Sequence, residues 1–373
     1  MVDHDALQFA PEPPATPDHD TSPWKIAVVD DDDAIRAITR LALGRLRVDG
    51  RPVALLEAAS ADEGIALFAA HPDIALGLID MVMEDAEAGL RLVREVRGAQ
   101  RNRRVRLVVR TGQPGEQAEE SLVRDNDISD YREKTDLTAA RLRTLALGAI
   151  RGYRDLSVAQ ASYRGAVDLL AEVLEYRVEA HQSHARATAA LASALAELAG
   201  LAPLRAEALR HAALLHDIGL LELPAPLRHA LLDLDPDAVP EGGPLREHPL
   251  AGARLLARLP SEEGRLAARL AAEHHERWDG AGYPSGLAGE AIDVESRLLA
   301  VANVLDLIAS RQEVERSPTD ADARPAAALD PAPLRTALLA AAGTALDPAF
   351  AQLAAANLDA LLAVRAGART GSA

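Results

Sequence analysis

The chain has 373 residues, of which 49% are hydrophobic but only 3% aromatic, and its formal net charge is -17. At roughly 150 residues per domain that length makes two or three domains, and so acidic a surface repels nucleic acid and anionic membrane. The absence of cysteine excludes disulfides, thiolate zinc sites and a cysteine nucleophile, and fits a reducing, cytoplasmic setting. The first 23 residues are acidic and proline-rich without an apolar core, which reads as a disordered tail rather than a signal peptide. No stretch approaches the roughly 18 continuous apolar residues of a membrane span, so no membrane insertion is expected.

From residue 24 to 136 short apolar runs alternate with helical periods. The runs lie at 26–29, 53–56, 74–79, 105–109 and 128–131, with helical stretches at 34–46, 61–70 and 89–96 between them. Five strands alternating with helices predict a doubly wound α/β domain on a parallel sheet. Residues 137–175 are nearly free of proline and read as one long helix. Residues 176–364 keep a helical period throughout, predicting an all-α domain, and 365–373 read as a tail.

In an open parallel sheet the ligand site lies beyond the carboxyl ends of the strands. There the sequence places Asp30 and Asp31, then Asp80, then Thr111, then Lys134. Each alone is an ordinary turn or surface residue. Together they describe a carboxylate cluster that needs a cation. Oxygen ligands suit Mg2+. An aspartate beside it can attack a phosphoryl group, and a hydroxyl and an ammonium can hold the new phosphoryl oxygens. The strings IAVVDDDDAIRAITRLAL, IALGLIDMVMEDAEAGLRLVREVR, VRLVVRTGQPGE and DISDYREKTDLT resemble response-regulator receiver domains. The resemblance implies that Asp80 is the phosphoacceptor for a sensor histidine kinase, that Asp30 and Asp31 are Mg2+ carboxylates, and that Val82 is a ligand through its carbonyl. It also makes Thr111 and Tyr131 the switch pair and Lys134 the phosphate sensor. The chain departs from that pattern at Thr135, where a proline is usual.

In the helical half, 8 of the 11 histidines fall between His181 and His275. His216 and Asp217 are adjacent in an apolar stretch, a costly pair to bury without a partner. His248, His274, His275 and His184 are further candidates, and imidazole with carboxylate suits Fe, Mn, Zn, Ni or Co. Two such ions a few ångströms apart would clamp a phosphodiester and generate hydroxide. The plainer alternative is a set of core and surface histidines.

HDIG together with HHERWDGAGYPSGLAG resembles the HD-GYP family of cyclic di-GMP phosphodiesterases. The resemblance implies that His216 and Asp217 carry the catalysis. The metal set it implies is His184, His216, Asp217, His248, His274, His275 and the position of Asn303. Gly282, Tyr283 and Pro284 would form a loop shaping the pocket. Leu220 stands where the family has lysine, Asn303 where it has aspartate, and Ala180 where it has a glutamate. Two functions follow: a phosphorylation-controlled cyclic di-GMP phosphodiesterase, or a degenerate, non-catalytic module that binds nucleotide or protein. A transcriptional regulator is disfavoured, since no basic recognition helix for DNA is present.

The long helix carries Leu142, Ala146, Ala149, Tyr153, Leu156, Gln160, Tyr163, Val167, Leu170 and Leu174 at alternating steps of four and three. A strict seven-residue repeat predicts a homodimer through a coiled coil, with Gln160 fixing the register.

Overall fold

A computed structural model describes residues 22–112, 124, 126–134, 138–177, 183–224, 243–316 and 329–370. The expected tail as far as residue 21, Thr135 and Ala180 lie outside the described residues. The described residues form two compact units, one running to Val93 with Arg104–Arg154, the other comprising Arg94–Arg103 and the residues from Asp155 onward.

The first unit holds β1 (Trp24–Val29), α1 (Asp33–Leu43), β2 (Arg47–Val48), β3 (Arg51–Ala58), α2 (Ala61–Ala70) and β4 (Ile74–Asp80). These are followed by the start of α3 (Ala88–Arg97), β5 (Arg106–Thr111), β6 (Asp130–Glu133) and the start of α4 (Ala139–Arg177). The sheet order is β2-β3-β1-β4-β5-β6. β3, β1, β4, β5 and β6 pair in parallel, as the alternation of runs predicts. β4 is buried along its whole length, the pattern of a strand covered on both faces. Ser60 caps α2 by accepting from the Glu63 amide, and Glu63 reaches back to the Ala59 amide, which pins the helix entry.

The five-stranded expectation needs one correction. A sixth strand, β2, pairs antiparallel with β3 at the sheet edge. Asp49 and Gly50 both have positive φ, the hairpin turn that an Asp-Gly pair favours.

The second unit is helical: α5 (His184–Leu198), α6 (Pro203–Ala213), α7 (His248–Leu256), α8 (Glu262–Glu273), α9 (Val294–Arg316), α10 (Pro331–Ala341), α11 (Pro348–Ala356) and α12 (Leu358–Thr370). Leu and Ala dominate its core, including Leu191, Leu195, Leu209, Leu270, Leu298 and Leu305. Small residues let these helices approach closely, which compensates for the few aromatics. The expected tail at 365–373 is corrected here: α12 continues to Thr370, and Arg365 is only 1% exposed. Its charge is matched by Asp306 and Glu313, so the helix end belongs to the core.

The stripe along α4 also reads differently in three dimensions. Leu142, Ala146 and Tyr153 are buried in the core of the first unit. Val167 is buried in that of the second, with Tyr163 packed against it. Leu174 is buried as well. Gln160, expected as a register-fixing amide, donates to Glu263 at 2.6 Å. Leu156 and Leu170 stay exposed. Most of the seven-residue pattern is therefore consumed within one chain. Among the described residues no single helix is long and apolar enough to cross a membrane.

Candidate functional site

Among the described residues each unit gathers chemistry-bearing side chains that could hold a metal ion. In the first, β1 and β4 are neighbours in the sheet, so their carboxyl ends bring Asp30 and Asp80 together. Ligand atoms of Asp30, Asp31 and Asp80 all lie within 4.8 Å of one another. Asp30 and Asp80 are buried and Asp31 is exposed. Lys134, just beyond β6, donates to Asp80 Oδ2 at 2.7 Å and stands 3.3 Å from Asp30 Oδ2. Burial, with Asp30 beside it, pushes the Asp80 carboxyl up despite the opposing Lys134. An oxygen-only set with one open, exposed member fits a hard cation.

Thr111 ends β5 and is buried, while Tyr131 is half-buried on β6 opposite Val109, two residues out of step with Thr111. Val82 follows β4 with its side chain exposed. The sequence reading missed one residue. Arg110 in β5, opposite Asp80 in the register, is buried and reaches Asp30 Oδ2 at 3.1 Å.

In the second unit, α6 ends in the turn that carries His216 and Asp217, α7 opens with His248, and α8 ends against His274 and His275. Gly219 lets the HDIG segment press onto α7, since a Cβ there would lie 2.0 Å from the His248 carbonyl oxygen. Three ring nitrogens are spoken for in the same way. His216 Nδ1 meets the Ala213 carbonyl at 2.7 Å, His248 Nδ1 the Leu245 carbonyl at 2.6 Å, and His274 Nδ1 the Ala271 carbonyl at 2.9 Å. A carbonyl only accepts, so each Nδ1 carries the hydrogen and each neutral ring keeps a lone pair on Nε2.

Those lone pairs converge. His248 Nε2 and His274 Nε2 are 3.1 Å apart, while buried His216 Nε2 faces the Asp217 carboxylate; burial pulls that imidazole down, but Asp217 outweighs it and the net shift is upward. Burial holds His274 down at about 4, so it stays neutral at pH 7 despite Asp217. Burial, reinforced by its histidine neighbours, also holds His275 well below the ordinary histidine range. Facing lone pairs repel unless a cation lies between them, and this donor set fits a transition metal.

Asp217 belongs to both halves of the cluster. Its Oδ1 lies 3.2 Å from His274 Nε2 and 3.5 Å from His248 Nε2, and its Oδ2 lies 3.2 Å from His216 Nε2. One group of ligand atoms within 4.8 Å joins Asp217, His248, His274 and His275; another joins His184, His216 and Asp217.

His184 opens α5, and its Nδ1 meets Asp306 Oδ2 at 2.7 Å. Arg365 donates to the other oxygen of Asp306 at 2.6 Å. Asn303 lies three residues before Asp306 on α9, so both occupy one face of that helix. Asp306 and Arg365 were not anticipated. The one carboxylate of VANVLD was a signal for Asp306, whereas nothing local marks Arg365.

Beside the histidines, Tyr283 stacks on His275 with ring centroids 4.6 Å apart, and the Arg246 guanidinium lies 4.8 Å from the Tyr283 ring centre. Gly282 is required there, because a Cβ would fall 2.4 Å from the Arg277 amide nitrogen and 2.6 Å from the His275 carbonyl oxygen. Buried Glu276 accepts from the Ser285 and Leu287 amides, which fixes the loop holding Tyr283 and Pro284. Leu220 is buried, so no charge stands at that position.

Residues 168–325 match the HD domain family. The chain is 26% identical to the 3'3'-cGAMP-specific phosphodiesterase 2 of Vibrio cholerae, aligned over 93% of this chain and 94% of that protein. It is 35% identical to the cyclic di-GMP phosphodiesterase response regulator RpfG of Xanthomonas campestris over 39% of this chain, and spans only 38% of that relative. A response regulator receiver domain protein from Clostridium thermocellum aligns with 36% of this chain and 98% of its own, at 24% identity and a TM-score of 0.31. HD domains are metal-dependent, and the converging histidines of the second unit supply a candidate centre. The HD family match and these relatives support an architecture in which a receiver-like α/β unit is joined to an HD domain of the HD-GYP type.

Proposed function

We propose that the chain hydrolyses a cyclic dinucleotide, cyclic di-GMP in the first instance, at a two-metal centre controlled by phosphorylation of Asp80. The observation that carries this reading is the sharing of Asp217: its two oxygens face two separate sets of histidine nitrogens. His216 and Asp217 lie at the junction of the two sets, His248, His274 and His275 complete one, and His184 completes the other. Asn303 is the neutral, weaker candidate ligand. Bound ions would supply Lewis acidity and a hydroxide nucleophile. The chain's own part is to hold the imidazoles in the Nε2-ligating tautomer through the three carbonyls, and to present Tyr283 over His275. With a -17 chain, attraction for an anionic substrate has to come from the metals and from Arg246 beside Tyr283.

Two further readings have specific support. The relative aligned over nearly the whole chain is named for 3'3'-cGAMP, which makes that dinucleotide the second substrate to try. Leu220 and Asn303 favour a non-catalytic nucleotide-binding or protein-binding output. Metal analysis of the purified chain, run beside hydrolysis of both dinucleotides, separates the three.

In the first unit, phosphoryl transfer from a sensor histidine kinase to Asp80 with Mg2+ on Asp30, Asp31 and the Val82 carbonyl is the matching input. Lys134 is in place to meet the phosphoryl oxygens, and Thr111 with Tyr131 is the switch pair. The covalent route to the output is α4, which runs unbroken from Ala139 to Arg177. A homodimer through α4 would use its exposed row, Val158, Leu169 and Val173, in place of the consumed seven-residue stripe.

A further inference from the structure

Asp30 is fully buried beside buried Asp80, and two carboxylates that close repel each other. Lys134 answers one of these charges from the pocket mouth. The other is answered from below. Arg110 is 3% exposed, its Nη2 lies 3.1 Å from Asp30 Oδ2, and its Nη1 donates to Thr39 Oγ1 at 3.2 Å. Thr39 is itself anchored to the Ile35 carbonyl of α1 at 2.8 Å. The guanidinium is therefore clamped between α1 and β5, with its charge directed at Asp30. Two buried carboxylates thus face two fixed cations, and the buried part of the pocket is neutral before any ion enters. Exposed Asp31 belongs to the same cluster and adds a third carboxylate at its open side.

The geometry points to Arg110 as a resident cation that takes over part of the charge role of Mg2+ in the resting pocket, so that metal binding becomes favourable mainly once a phosphoryl group adds negative charge at Asp80. This rests on the reading of Asp80 as phosphoacceptor. A guanidinium stays protonated in the interior, so its charge is constant across the working pH range. An incoming divalent ion ligated by Asp30 and Asp80 meets that fixed positive charge at a few ångströms in a poorly screened site. Phosphorylation makes the pocket more negative and restores the attraction. The receiver would then be metal-poor at rest and metal-loaded when modified, coupling the two events more tightly than in a pocket without the arginine.

The test uses beryllofluoride, a phosphoryl mimic, on the full chain, with fluorine NMR reading its adduct on Asp80 as Mg2+ is titrated. This signal does not sense ions in the histidine cluster. Arg110→Met removes the charge at similar length and should lower the half-saturating Mg2+ by roughly tenfold or more, whereas Arg110→Lys should stay near the parent value. A Met variant that folds and needs the same Mg2+ as the parent overturns the proposal. If Arg110→Met is unfolded without Mg2+, the ion should restore its circular dichroism and melting transition; a chain still unfolded in saturating Mg2+ also overturns it. No adduct on the parent chain at any Mg2+ level overturns the phosphoacceptor reading itself, and the present inference falls with it.

Discussion

His248 Nε2 and His274 Nε2 face each other across 3.1 Å while both rings give their other nitrogen's hydrogen to a backbone carbonyl. Two lone pairs in a buried site cannot satisfy each other, so a cation between them is the simplest resolution. His274→Ala should weaken retention of that ion by more than the roughly 10–100-fold that follows loss of a ligand's outer partner. Elemental analysis after dialysis against a weak chelator reads this directly. Metal content equal to that of the parent would remove the histidines from the coordination sphere.

Asn303 offers a neutral oxygen where a carboxylate would add charge. It lies one turn before Asp306, which His184 and Arg365 already engage. Asn303→Asp should raise occupancy of the ion near His184 and any hydrolysis that depends on it. The same assay on Asn303→Ala should show occupancy at or below that of the parent. Equal metal content in all three chains would place Asn303 outside the site.

Arg365 is predicted to be worth more than a surface cation. Removing one partner of a buried ion pair costs about 3–5 kcal/mol, so Arg365→Met should lower the denaturation midpoint clearly at neutral pH. Burial pushes the Asp306 carboxyl up, but His184 and Arg365 more than offset it, and the net shift is downward. A carboxyl held low in the fold stabilises at pH above its unfolded value, and that stabilisation drains away as pH falls through the folded value. The parent should therefore lose part of its advantage over Arg365→Met on strong acidification. Parallel curves from neutral to acid pH would rule out this ion pair as the source.

The α4 stripe shows where sequence periodicity reaches its limit. A seven-residue repeat marks a buried face without saying what buries it, and here the chain's own cores take Leu142, Tyr153 and Val167. Val167→Glu should destabilise the second unit by at least about 3 kcal/mol through a buried, unpaired charge. Leu169→Glu with Val173→Glu, both on exposed positions, should leave the melting transition nearly unchanged. If a dimer forms through this helix, light scattering should report monomer for that double variant. A dimer mass retained there would place the interface elsewhere.

The acidic pocket was legible because its residues end strands, and a parallel sheet gathers strand ends at one edge. Asp30, Asp80 and Lys134 meet as that rule predicts. Arg110 was not legible, because within VRLVVRTG it occupies an ordinary strand position and only the register sets it opposite Asp80. The histidines were legible as residue types that are costly to bury without a ligand. Their tautomers were not, since the carbonyls that fix them depend on how α6, α7 and α8 end. Arg365 lies 59 residues from Asp306, beyond any local pattern. The edge strand β2 was missed because two residues make no period, although Asp49-Gly50 carried its turn signal.

The most direct test of the central claim is hydrolysis of cyclic di-GMP by the metal-loaded full chain, with Asp217→Asn as the comparison. Asp217 touches both halves of the cluster, so its carboxylate should be indispensable. The account predicts conversion to a linear product by the parent and its loss in Asp217→Asn. A parent chain that holds its metals yet yields no more product than Asp217→Asn, from this dinucleotide or from 3'3'-cGAMP, would contradict it and leave a non-catalytic output domain.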